Sequence, residues 1–151
     1  MQPPPYLSPD YFYDYVTCYL IEICKEIRAV EGIPRIHSHG KIGKVIEQFA
    51  LTDALAIDPV EPSPDGDMEL VDVKRLYGDR FCIFGNIELR DLEYSDTSGI
   101  DFLVKKAMDA AKKGSGFVLM PTSAPLNVPL SRKTEENYLQ MFESVRKYEA
   151  Y

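Results

Sequence analysis

Pro34-Arg35-Ile36-His37-Ser38-His39-Gly40 is the stretch from which the rest of the chain is read. Residues 34–38 form a brief extended run, entered through a proline and left through a glycine, and its end carries side chains suited to chemistry. Three more short apolar runs have the same form. Ala54 to Ile57 leads into Asp58-Pro59-Val60-Glu61-Pro62, Arg80 to Phe84 into Gly85-Asn86-Ile87-Glu88, and Phe117 to Met120 into Pro121-Thr122-Ser123-Ala124-Pro125. Each run is too short for a helix, and each is separated from the next by residues with a period near 3.6.

The helical segments set the layers. Ser8 caps a first helix with Pro9 in its opening turn. Phe12, Val16, Tyr19, Ile23, Ile27 and Val30 recur along it as one apolar stripe, and Gly32 closes it. A second helix carries Ile42, Val45, Ile46 and Phe49. Asp67 is the expected cap of a third, with Leu70, Val73 and Tyr77 along it. Ile100 to Lys113 forms a fourth, ended by Gly114. Thr134 is the expected cap of a last helix with Tyr138, Met141, Phe142, Val145 and Tyr148 inward. Strands alternating with helices predict an α/β fold of four parallel βα units with right-handed crossovers. In such a fold the strand ends share one face, where ligands bind. The turn Gly78-Asp79-Arg80 lies on the opposite face and reads as a stability element.

Composition narrows the function. The chain has 151 residues, so a single domain over 1–151 is expected. With 24 acidic against 17 basic residues and a net charge of −7, its field repels phosphate backbones and anionic lipid. No apolar run reaches the ~18 residues of a membrane span, and Met1-Gln2-Pro3-Pro4-Pro5 lacks the features of a secretion signal. Cys18, Cys24 and Cys82 form neither a disulfide framework nor a zinc ribbon, and Cys82 in its apolar run reads as a buried, inert thiol. A cytoplasmic protein that binds neither nucleic acid nor membrane is the expectation.

His37 and His39 are the sharpest chemical signal. Two apart on a strand, they point to one side, and imidazole is a common metal ligand and proton carrier. Asp58 or Glu61 from the neighbouring strand end offers a third ligand, making a His–His–carboxylate set for a divalent metal such as zinc. Two hydrogen-bonded histidines, or two that bind a substrate carboxylate, are the alternative. Gly40-Lys41-Ile42-Gly43-Lys44 offers backbone N–H groups to an anion but lacks the spacing of a nucleotide-binding loop.

Taken in order, Tyr6-Leu7-Ser8-Pro9, His37-Ser38-His39-Gly40, Asp58-Pro59-Val60-Glu61-Pro62, Gly78-Asp79-Arg80, Phe84-Gly85-Asn86-Ile87 and Gly116-Phe117-Val118-Leu119-Met120-Pro121-Thr122 resemble the uroporphyrinogen decarboxylase superfamily. The resemblance covers nearly the whole chain and only the C-terminal half of that family's (β/α)8 barrel, a TIM barrel. It implies tetrapyrrole decarboxylation, or methyl transfer involving corrinoids or methylated donors and thiols. In the methyltransferase branch a His-x-Cys-Gly motif and a later cysteine bind zinc. Here His37 matches the histidine, His39 stands at the first cysteine and Ser123 falls near the second, so two thiolates are lost.

The residue assignments that follow are His37, His39, Glu61 and Asn86 as catalytic, and His37, His39 and Glu61 as metal ligands. Gly40, Lys41, Asp58, Gly85, Thr122 and Ser123 are assigned to substrate binding. The substrate-gripping groups of the decarboxylase branch come from the half of the barrel that this resemblance does not reach, which leaves the site incomplete. Four barrel strands also leave two open edges and an apolar inner face, so a homodimer is expected to cover them. The competing expectation is a non-catalytic half-barrel module that self-associates or supplies half a barrel to a partner.

Overall fold

The computed structural model describes residues 7–150. Tyr6 and the Pro-rich entry before it lie outside the described residues. The elements alternate as expected, with four strands, β1 (Arg35–His37), β2 (Ala56–Asp58), β3 (Cys82–Ile87) and β4 (Phe117–Pro121). All pair in parallel in the order β1-β2-β3-β4, with His37 opposite Asp58, Ala56 opposite Cys82 and Asn86 opposite Met120. Among the described residues, β1 and β4 are the two edges. The helices are α1 (Pro9–Phe12), α2 (Cys18–Ala29), α3 (Ile46–Phe49), α4 (Leu70–Tyr77), α5 (Leu89–Tyr94), α6 (Thr97–Ala111) and α7 (Arg132–Tyr148).

One face of the sheet packs on helices; the other is exposed at β1, half-covered along β3 and closed at β2, where Ala56, Ile57 and Asp58 are all buried. On β1, Ile36 is buried while Arg35 and His37 are exposed, the period-2 alternation of a half-covered strand. Ile36, Ile57 and Ile83 join Phe12, Phe49, Val73 and Phe81 in one core. Ile87, Leu92, Ile100, Val104 and Met141 form a second under α5, α6 and α7. On this second face the Arg35 guanidinium lies 5.0 Å from the Phe84 ring centre.

The first helical segment departs from its expected orientation. Tyr13–Thr17 is a π-helical insert between α1 and α2. The wider turn rotates the following residues around the axis. Phe12, Thr17 and Cys24 are buried, whereas Tyr19, Ile23 and Val30 of the expected stripe are 61%, 53% and 79% exposed. Phe142, expected inward on α7, is likewise exposed, and Met141 takes the buried position.

Two caps are also corrected. Ser131, not Thr134, caps α7, its Oγ accepting from the Thr134 N–H at 3.1 Å. Asp67 does not cap α4, which starts after Glu69; its Oδ1 instead accepts from the Gly43 N–H at 2.8 Å, tying the β2–α4 loop to the β1–α3 loop. Cys82 is only half-buried. On the turn side of the sheet Arg80 donates to the carbonyls of Ala54, at 2.7 Å, and of Thr52, anchoring the entry to β2. None of the described helices is long and apolar enough to cross a membrane.

Candidate functional site at the strand ends

Parallel pairing brings His37 at the end of β1 beside Asp58 at the end of β2. His37 Nδ1 lies 3.1 Å from Asp58 Oδ1, and Arg35 Nε lies 3.7 Å from Asp58 Oδ2. Asp58 is buried and the Arg35 and His37 side chains are exposed, so the carboxylate aligns two groups that reach solvent. One step further along, His39 Nδ1 lies 2.7 Å from Glu61 Oε1, and Glu61 Oε2 accepts from the Gly40 N–H. The two imidazoles meet edge to face, with ring centres 4.6 Å apart and planes at 84°.

The result is two histidine–carboxylate pairs side by side. An ionised carboxylate only accepts hydrogen bonds, so each Nδ1 carries the proton that it donates. The Nε2 atoms are then left to serve as acceptors, or as donors once the rings are protonated. With Arg35 two residues before His37 on the same face of β1, three groups able to carry positive charge gather on an otherwise acidic protein.

Sequence reasoning places His37, His39, Gly40, Asp58 and Glu61 at the site, and the fold gathers all five. It does not gather them as a metal centre. Glu61 is committed to His39 and the Gly40 N–H, and His37 turns its Nδ1 to Asp58 instead. Among the described residues no group of three or more His, Cys, Asp or Glu side chains is placed to hold a metal ion. The expected His37–His39–Glu61 zinc set is therefore not preassembled among the described residues.

Other expected residues sit apart from these pairs. Asn86 lines a separate cavity of about 80 Å³ with Pro62, Leu70, Ile87 and Ala107. Lys41 is exposed beside Gly40, and Ser123 is exposed on the loop after β4. Gly85 acts through its backbone. Its φ is +136°, and a Cβ there would lie 3.2 Å from the Val60 nitrogen. That nitrogen donates to the Phe84 carbonyl at 3.2 Å, and Val60 precedes Glu61, so Gly85 lets the Glu61 loop close onto β3.

Thr122 is buried, and its Oγ1 donates at 3.2 Å to Oε2 of Glu88, a residue that sequence reasoning leaves unassigned. Burial pushes the Glu88 carboxyl up, and the negative field of Glu61 adds to this. Arg35 was equally missed. Its signal is the period of two that it shares with His37. Glu88 closes the Gly85-Asn86-Ile87-Glu88 segment at the end of β3, but nothing in the sequence pairs it with Thr122 or predicts its burial.

A family model described as Uroporphyrinogen decarboxylase (URO-D) matches residues 4–148. No curated protein matches the chain in sequence. Among solved structures, a methyltransferase from Methanosarcina mazei superposes with a TM-score of 0.74 at 19% identity, over 95% of this chain and 39% of its own. At that identity the likeness is one of fold, and its share of the larger chain is that of a half barrel. The chain belongs to the uroporphyrinogen decarboxylase (URO-D) family.

Proposed function

We propose that the strand-end face is a carboxylate-binding and proton-transfer site of the decarboxylase kind, acting on an acidic tetrapyrrole. The observation that carries this reading is the pair of adjacent imidazoles, each oriented through Nδ1 by its own carboxylate. Loss of CO2 from a pyrrole side chain leaves an electron pair on carbon that must take up a proton. An imidazole held with Nε2 outward is suited to deliver it. Arg35 and the imidazoles, when protonated, are matched to the several carboxylates of such a substrate.

Methyl transfer is the second reading that the family allows. It is less well supported, because His39 and Ser123 stand where that branch has cysteines, and His39 is engaged by Glu61.

The test is titration of the protein with coproporphyrin, a tetracarboxylate tetrapyrrole, followed by its visible absorbance. Removing a charge-assisted hydrogen bond costs ~1.5–3 kcal/mol, so His37→Ala and His39→Ala are each expected to weaken binding by about tenfold or more. Absence of binding by the unsubstituted protein, or equal binding by all three, overturns the proposal. The first of these results is what a non-catalytic module would give.

A further inference from the structure

Two buried side-chain polar atoms among the described residues lack any hydrogen-bond partner, Ser38 Oγ and Glu88 Oε1, and both follow a strand end on the candidate face. Buried polar groups are nearly always paired, so an orphan at a candidate site points to a partner from outside the chain. Ser38 is a weak case, since a hydroxyl rotates to suit its surroundings. Glu88 is the stronger one.

Glu88 is only 7% exposed, and its partner Thr122 is 3% exposed. The groups that set its electrostatics are few. Thr122 reaches it from the end of β4, Glu61 from the loop after β2, Asp65 from the same loop and Arg90 from α5. Arg90 is turned to Asp65, with a 2.6 Å ion pair, and so is largely neutralised. Thr122 Oγ1–H donates to Oε2, while among the described residues nothing donates to Oε1. An ionised Glu88 would leave a charged oxygen buried without a donor and in the negative field of Glu61, an arrangement that proteins avoid. A proton on Oε1 removes that charge. Oε2 is then the carbonyl oxygen that accepts from Thr122, and Oε1–H is a donor with no acceptor among the described residues.

We infer that Glu88 is a substrate-binding residue whose Oε1–H donates to a carboxylate oxygen of the bound molecule, with Thr122 fixing which oxygen carries the proton. This rests on the carboxylate-binding reading above and deepens it. Arg35 and the histidines meet anionic groups by charge, whereas Glu88 meets one as a neutral donor that an ionised side chain would repel. A site built this way discriminates against ligands that bring no acceptor, because Oε1–H then stays unpaired.

The test is infrared difference spectroscopy at neutral pH on the unsubstituted protein and Glu88→Gln, with and without coproporphyrin. The expected result is a protonated-carboxyl band that is missing from Glu88→Gln and moves to lower frequency when the porphyrin binds. Glu88→Gln, which keeps an N–H donor, should hold coproporphyrin within about threefold of the unsubstituted protein, and Glu88→Leu about tenfold more weakly. No such band overturns the inference, as does a band that stays put while the porphyrin binds. The latter leaves the carboxylate-binding reading intact. Failure of the unsubstituted protein to bind the porphyrin overturns both.

Discussion

Gly85→Ala tests the link between backbone and site. Gly85 sits at φ +136°, where L side chains are strained, and a Cβ would approach the Val60 nitrogen to 3.2 Å and its oxygen to 3.6 Å. Val60 is only 1% exposed and is held to the Phe84 carbonyl, so it has little room to give. Backbone strain of this kind costs ~1–3 kcal/mol, and overpacking a filled site adds ~1–3 kcal/mol. A combined loss of about 2–6 kcal/mol, with a urea m-value of ~2 kcal/mol/M, lowers the unfolding midpoint by roughly 1–3 M.

Gly114→Ala isolates the backbone part. Gly114 has φ +79° with nothing within 4 Å of the added methyl, so ~1–2 kcal/mol, or about 0.5–1 M, is expected. Equilibrium urea unfolding followed by far-UV circular dichroism reads both. A Gly85→Ala midpoint no lower than that of Gly114→Ala refutes the reasoning that close packing of β3 on Val60 positions the Glu61 loop.

Three further outcomes follow from burial and charge. Phe12→Ala empties a fully buried position whose ring centre is 6.0 Å from that of Phe49, and ~3–5 kcal/mol should lower Tm by on the order of 10 °C. Tyr19→Ser, on the exposed side of α2, should change Tm by less than about 2 °C; a larger fall would put Tyr19 in the core after all. Glu88→Gln should alter how stability depends on pH. The Glu88 carboxyl is raised above its ordinary value near 4.5, so the native state keeps the proton to higher pH than the unfolded chain does. The stability linked to that proton is complete below the ordinary value and drains away as pH climbs through the raised one. The urea midpoint of Glu88→Gln relative to the unsubstituted protein should therefore be more favourable at about pH 8 than at about pH 5, and an equal difference at both refutes burial of the carboxyl.

The alternation of short strands and helices was legible because each element carries its own period and its own punctuation. Pro34 and Gly40 bracket β1, and Gly114 ends α6, since these residues act through their own backbone. The convergence of His37, His39, Asp58 and Glu61 was legible too, because parallel pairing places successive strand ends together whatever else the fold does. α5 escaped notice because its six residues, Leu89–Tyr94, give too few turns for a periodic signal. The buried face of the first helical segment was misread, since a π-helical insert at Tyr13–Thr17 shifts every later residue around the axis and leaves no mark in an average period of 3.6.

By itself, then, the sequence determined the fold class, the parallel order of the strand ends and the identity of the polar groups gathered there, all of which depend on local pattern and chain connectivity. Tertiary structure alone decided how those groups are partnered. It gave Asp58 to His37 and Glu61 to His39, where the sequence had allowed a shared metal, because each carboxylate reaches the imidazole that the strand register sets beside it. It also buried Glu88 against Thr122 with one oxygen unpaired, because desolvation belongs to the packed surroundings of a side chain and not to its neighbours in sequence.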